Sequence, residues 1–270
     1  MINFTKGMLA AAVALSFAGT AVAYDDTAYT PNTGINNTAH DLSEPKNGMN
    51  YDGGDTLNRI CVYCHAPHNT YRLSAANGGG PGAGPQASDE FDYLPLWNHE
   101  LTANANAYTM YQNGPGAPTI GSKASQAIEQ NPLAPGGVSL LCLSCHDGSV
   151  AVNSYGNIDQ LPRSVGTGGA FMGDQYLIGK FSNLGNHHPI GFNYDLVEAA
   201  DTEIIPADTA NFGGVAGTVR DHLSGPGNTQ MECSTCHSVH NKGNSGETLL
   251  WRSDNYSNLC LTCHDKGTPQ

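Results

Sequence analysis

Cys61-Val62-Tyr63-Cys64-His65 sets a pattern that returns three times, as Cys142-Leu143-Ser144-Cys145-His146, Cys233-Ser234-Thr235-Cys236-His237 and Cys260-Leu261-Thr262-Cys263-His264. The four copies use all eight cysteines of the chain. C-x-x-C-H is the attachment signature of c-type haem. Its two thiols add to the vinyl groups on one porphyrin edge, and the histidine beneath the ring is the proximal iron ligand. Disulfide frameworks do not place a histidine after every second cysteine. Zinc needs four ligands per site and has no use for the fixed fifth position. A thioredoxin-like motif needs one pair within a βαβ pattern that the sequence lacks. The reading is four covalent haem c groups, with His65, His146, His237 and His264 as proximal ligands.

Composition agrees with a core supplied from outside the polypeptide. The chain has 33 glycines and 15 prolines in 270 residues, with 39% hydrophobic and 8% aromatic residues. So many breakers leave little apolar side-chain area to offset the entropy of folding. Four large apolar porphyrins would fill that role. The expected fold is mostly irregular, with a few short α-helices and little β, a multihaem cytochrome c fold wrapped around a chain of four haems.

Residues 1–23 read as an export signal: Lys6 is the positive start, Met8 to Ala18 are almost wholly apolar, and Ala21-Val22-Ala23 offers a cleavage site. The stretch is too short for a good membrane span, and no later segment approaches that length. Secretion follows as the expectation, to the cell surface or beyond, with the periplasm as the alternative. The formal charge is −13, which disfavours nucleic acid and anionic membrane surfaces as partners.

Seven of the eleven histidines are not proximal: His40, His68, His99, His187, His188, His222 and His240. Bis-histidine ligation of four irons would use four of them, leaving neither iron face open to a substrate. His68 and His240 each follow a proximal histidine by three positions. The attached segment lies against one face of its own haem, so neither histidine can reach the far face of that iron. As ligands they must serve another haem, and each C-x-x-C-H-x-x-H then brackets two haems. His188 precedes Pro189, which favours an extended backbone, and His40 stands in a polar stretch. His99, His187 and His222 read as surface or supporting histidines.

The chain also reads as two passes of one pattern. Cys64 to Asn69, Leu96-Trp97 and Cys142 to Asp147 answer to Cys236 to Asn241, Leu250-Trp251 and Cys260 to Asp265. The organisation is then a dihaem half at 24–150, a connecting loop-rich segment at 151–221 and a second dihaem half at 222–270, with 24–270 as one folded unit. The first half carries a Gly/Pro-rich insert from Ser74 to Gln86. Within the connecting segment, Gln175 to Phe181 reads as a short strand or helix and Ile204-Ile205 as extended. Each tryptophan is expected to pack against porphyrin.

The ordered series His40-Asp41-Leu42-Ser43, Cys61 to Asn69, Pro95-Leu96-Trp97-Asn98, Cys142 to Ala151, His188 to Phe192, Cys233 to Asn241 and Cys260 to Lys266 resembles the multihaem cytochromes with doubled C-x-x-C-H motifs. It is most similar to the tetrahaem, OmcE-like type that polymerises into extracellular nanowires. The resemblance implies His40, His68, His188 and His240 as distal ligands. It also implies a continuous haem chain and a homopolymer in which one distal histidine, here His68, is donated between subunits. His99 and the His187-His188 pair depart from that pattern, and either could act as a substitute ligand. Electron transfer to redox partner proteins or extracellular acceptors is the implied role. The alternatives are a monomeric periplasmic shuttle and a reductase with one open haem.

Overall fold

The computed structural model describes residues 30–43, 59–66, 97–99, 102, 108–111, 137–155, 171–185, 187–214, 216–244 and 246–266. The expected export signal, His68 and the Ser74 to Gln86 insert lie outside these residues. The described chain is mostly irregular, with a few short helices and one two-stranded sheet, as the composition led us to expect.

The longest helix among the described residues, α1 (Gly137–His146), carries the second attachment motif in its last turns. Leu140 and Leu143 are buried against Leu184, with Tyr108, Met110 and Ile190 around them. Beyond its end Gly148 has φ +74°, the left-handed conformation that glycine adopts without steric cost. Helix α2 (Tyr194–Ala200) follows strand β1 (Phe192–Asn193) directly, and Asn193 caps it by accepting from Leu196 N at 3.3 Å. Strand β2 (Gln230–Met231) pairs antiparallel with β1, Phe192 against Met231 and Asn193 against Gln230. Two single-turn helices, α3 (Cys233–Cys236) and α4 (Cys260–Cys263), are themselves attachment motifs.

The largest apolar cluster lies where composition gave no hint of one. Phe192, Tyr194, Val197, Ile204, Ala207, Ala210, Phe212, Ala216, Val219, Leu223 and Met231 are all buried together. Five are alanines or valines, so the cluster is made by close packing of small side chains between turns rather than by an amphipathic repeat. It runs through residues 221 and 222 without a break, because the 3-10 turn Val219–His222 contributes Val219 and leads into Leu223. Cys236, Cys263 and Trp251 pack on its edge. The segment from Gln175 to Phe181 takes 3-10 turns at Asp174–Tyr176 and Lys180–Ser182. Ile204 is extended, bridged to His264.

Candidate haem-attachment sites

A C-x-x-C-H segment wound into one helical turn puts positions i, i+3 and i+4 on one face, so both sulfurs and the imidazole look the same way. The backbone makes that turn in every copy. His65 N donates to Cys61 O at 2.8 Å, His237 N to Cys233 O at 3.1 Å and His264 N to Cys260 O at 3.0 Å, while His146 closes α1. Three of the copies then run into an extended bridge: His65 with Trp97, His237 with Leu250, His264 with Ile204. In each, the residue after the bridge partner donates its N–H to the second cysteine's carbonyl: Asn98 to Cys64 at 2.8 Å, Trp251 to Cys236 at 3.0 Å, Ile205 to Cys263 at 2.9 Å.

That register corrects the internal alignment by one position. Trp97 answers to Leu250, and Asn98 answers to Trp251. The two side chains do the same work despite their different chemistry. Asn98 Nδ2 donates to Val62 O at 2.9 Å and Trp251 Nε1 donates to Ser234 O at 2.8 Å. Both carbonyls belong to the first residue between the motif cysteines.

None of the eight cysteines forms a disulfide. Burial, with help from neighbouring thiols, pushes Cys64 and Cys236 up to about 12; burial with the Asp147 charge does the same for Cys145. These are sites for uncharged sulfur, which suits a thioether and not a zinc thiolate. Cys142 and Cys233 share a hydrogen bond, which draws Cys233 down to about 7 and drives Cys142 well up. The sulfurs neighbour one another in motif order: Cys64 with Cys145, Cys142 with Cys233, Cys236 with Cys263.

The histidines come together in pairs. His40 and His146 have ring centroids 6.2 Å apart, His65 and His240 6.1 Å, and His188 and His264 6.3 Å. A metal–imidazole bond of about 2.0–2.1 Å and a ring radius of about 1.2 Å put two imidazoles on opposite sides of one metal at about 6.4–6.6 Å. Packed aromatic rings also fall near this distance, so spacing alone does not decide. What decides is that each pair joins one motif histidine to one histidine outside the motifs. Among the described residues His237 has no imidazole at this spacing, and His68 lies outside them.

The outward ring nitrogens support the same fit, since metal-bound histidines usually donate their second N–H to a carbonyl or carboxylate. His146 Nδ1 meets Tyr176 O at 2.9 Å, His40 Nδ1 meets Val239 O at 3.4 Å and His188 Nδ1 meets Pro189 O at 2.8 Å. His237 bonds the Leu249 carbonyl. The Nδ1 contacts of His40, His146 and His188 leave their Nε2 for a metal. Burial, then the neighbouring His146, lowers His40 to about 4, and burial also lowers His146, His237 and His264. Neutral imidazole is the ligating form.

Two of the remaining histidines hold backbone carbonyls through their rings. His99 is fully buried, with Nε2 3.1 Å from Ala151 O and 3.2 Å from Val152 O. His222 holds Ala216 O through Nε2 and lies on Trp251 with centroids 4.0 Å apart. His187 donates its backbone N–H to Leu184 O at 3.2 Å. Sequence reasoning passed over Asp147, which is buried beside His146. It accepts from Thr102 Oγ1, from Tyr108 OH at 2.5 Å and from Ser149 N at 2.7 Å. Burial pushes its carboxyl up, but these donors outweigh that and hold it below the usual range.

A loop-rich chain whose attachment turns aim two sulfurs and an imidazole the same way is built as a multihaem c-type cytochrome is. Residues 225–268 match the family described as the doubled CXXCH motif, which covers α3, α4 and their two attachment sites. That motif indicates covalently bound haem c and a part in electron transfer. No curated protein matches the chain. Among the described residues, no helix is long and apolar enough to cross a membrane.

Proposed function

We propose that the chain carries electrons through four covalently attached, bis-histidine haems and is the repeating subunit of an extracellular cytochrome filament. Haem supplies a one-electron iron couple, and the protein's own residues hold and close that iron. The observation that carries the reading is the set of three imidazole pairs, His65 with His240, His146 with His40 and His264 with His188, at 6.1–6.3 Å. In this assignment His240 serves the iron of a motif other than its own, as its three-residue offset from His237 requires. His237 then takes His68, donated by the neighbouring subunit. An iron with both axial positions filled has no place for a substrate, so the role is conduction and not catalysis. The neighbouring sulfurs, running in motif order from Cys64 to Cys263, support one continuous path.

A specific observation favours a second reading, a self-contained secreted or periplasmic shuttle. The third motif supplies His240 to the first motif's His65, so by symmetry the first motif's His68 can serve His237 within the same chain. Co-expression separates the two readings. One chain carrying His68→Ala is mixed with a second carrying His237→Ala. In the filament, mixed assemblies contain junctions where an intact His68 meets an intact His237, and those haems stay low-spin. In the shuttle, every chain has one open haem whatever it is mixed with, and electron micrographs show globules only.

A further inference from the structure

The segment 30–43 brings His40 to its place, yet it is anchored on the far side of the sequence. Asn241 is fully buried, with φ +49°, and its amide faces two ways. Oδ1 accepts from its own loop, from Asn244 Nδ2 at 2.8 Å and Leu249 N at 3.3 Å. Nδ2 donates to the segment, to Thr30 O at 2.8 Å and Gly34 O at 3.1 Å, with Thr33 Oγ1 at 3.4 Å. The backbone adds Gly34 N to Asn241 O at 3.0 Å. Asn32 is gripped beside it: its N–H donates to Asn244 Oδ1 at 3.0 Å and its Oδ1 accepts from Gly243 N at 2.9 Å.

From this anchor the segment folds back on itself. Thr38 N and Oγ1 both donate to Ile35 O, Asp41 Oδ2 accepts from Asn37 N at 2.8 Å, and Thr38 Oγ1 accepts from His40 N at 3.2 Å. The ring of His40 then meets Val239 O and faces His146. Three consecutive residues therefore act on two iron sites. Val239 orients His40, His240 faces His65, and Asn241 pins the segment that carries His40.

We infer that Asn241 is a positioning residue for His40: its Nδ2–H bonds to Thr30 and Gly34 fasten the 30–43 segment so that one loop of the second half sets an axial ligand in the first. The inference rests on reading His40 as the ligand opposite His146. A protein that relied on local structure would have no need of this contact, since residues 30–43 share some 200 positions of separation from their anchor.

The test uses the full, haem-loaded chain and the variant Asn241→Asp. Aspartate keeps the shape, tolerates the left-handed backbone and retains the acceptor for Asn244 and Leu249, but it removes the donor and sets an anion against two carbonyls. Two readouts are taken: hydrogen exchange of the 30–43 amides, and carbon monoxide binding to the reduced protein, which needs a released axial ligand. We expect exchange across 30–43 to rise roughly tenfold, the effect of losing one or two buried hydrogen bonds, with α2 unchanged. We also expect carbon monoxide to bind at one haem per chain, with the same spectrum as in His40→Ala. Wild-type exchange overturns the proposal, and so does faster exchange without carbon monoxide binding. Should His40→Ala itself bind no carbon monoxide, the assignment of His40 to an iron is what fails. If Asn241→Asp does not mature, Asn241→Gly suits the left-handed backbone and removes the Nδ2 donor without adding a charge, and the same two outcomes decide.

Discussion

At the scale of single residues, the attachment turns depend on hydrogen bonds that no motif spells out. Trp251 Nε1 and Asn98 Nδ2 donate to equivalent carbonyls, at 2.8 and 2.9 Å. Trp251→Phe keeps most of the ring and removes only the donor, so it should lower holoprotein stability by about 1 kcal/mol in a denaturant titration. Asn98→Ala leaves a cavity as well as an unmet carbonyl and should cost about 1–3 kcal/mol. A Trp251→Phe protein as stable as wild type would show that the shared contact is incidental. The cysteines and proximal histidines were legible from spacing because the covalent chemistry fixes their order. The equivalence of Asn98 and Trp251 was not, because matching letters aligned Trp97 with Trp251, whereas the carbonyl requires only an N–H at the right place. Which carbonyls His99 and His222 hold was not legible, because those contacts depend on how the chain folds back on itself.

At the scale of elements, the surprise is the apolar cluster between β1 and β2. Phe212 is almost wholly buried within it. Phe212→Ala should cost about 3–5 kcal/mol, read from the unfolding midpoint of the haem-loaded protein; a loss below 1 kcal/mol would mean that the haems alone hold this region. The cluster was hidden in the sequence because it is assembled from turns, and turns carry no hydrophobic period. The 3-10 turn Val219–His222 that closes it is tied by charge. Arg220 reaches Asp195 Oδ1 at 2.6 Å, Asp208 Oδ1 at 3.0 Å and Asn228 O at 3.0 Å. Arg220 holds the Asp208 carboxyl below its ordinary value of 3.8, and the Thr218 N–H and hydroxyl do so for Asp221. A folded-state value below the unfolded one stabilises the fold above that range and loses its effect as pH falls through the folded value. Amides of 218–223 should therefore exchange faster as pH falls below about 3.8 once intrinsic rates are removed, and Arg220→Ala should remove the Asp208 part of that dependence while leaving the part due to Asp221.

At the scale of the molecule, four attachment motifs follow one another with neighbouring sulfurs, and a loop of the second half reaches into the first. The segment 30–43 belongs by sequence to the first half and is fastened to the second; His240 belongs to the second and faces His65. Duplication was visible in the sequence, but this crossing was not, since a repeat predicts similar halves and says nothing about how they exchange parts. The central claim is that the irons are closed by histidine. It is tested most directly by ferric electron paramagnetic resonance of the purified native protein, with spins integrated against protein and iron. The account predicts four iron atoms per chain, all low-spin. A high-spin signal amounting to one iron per chain would contradict it, leaving one haem open.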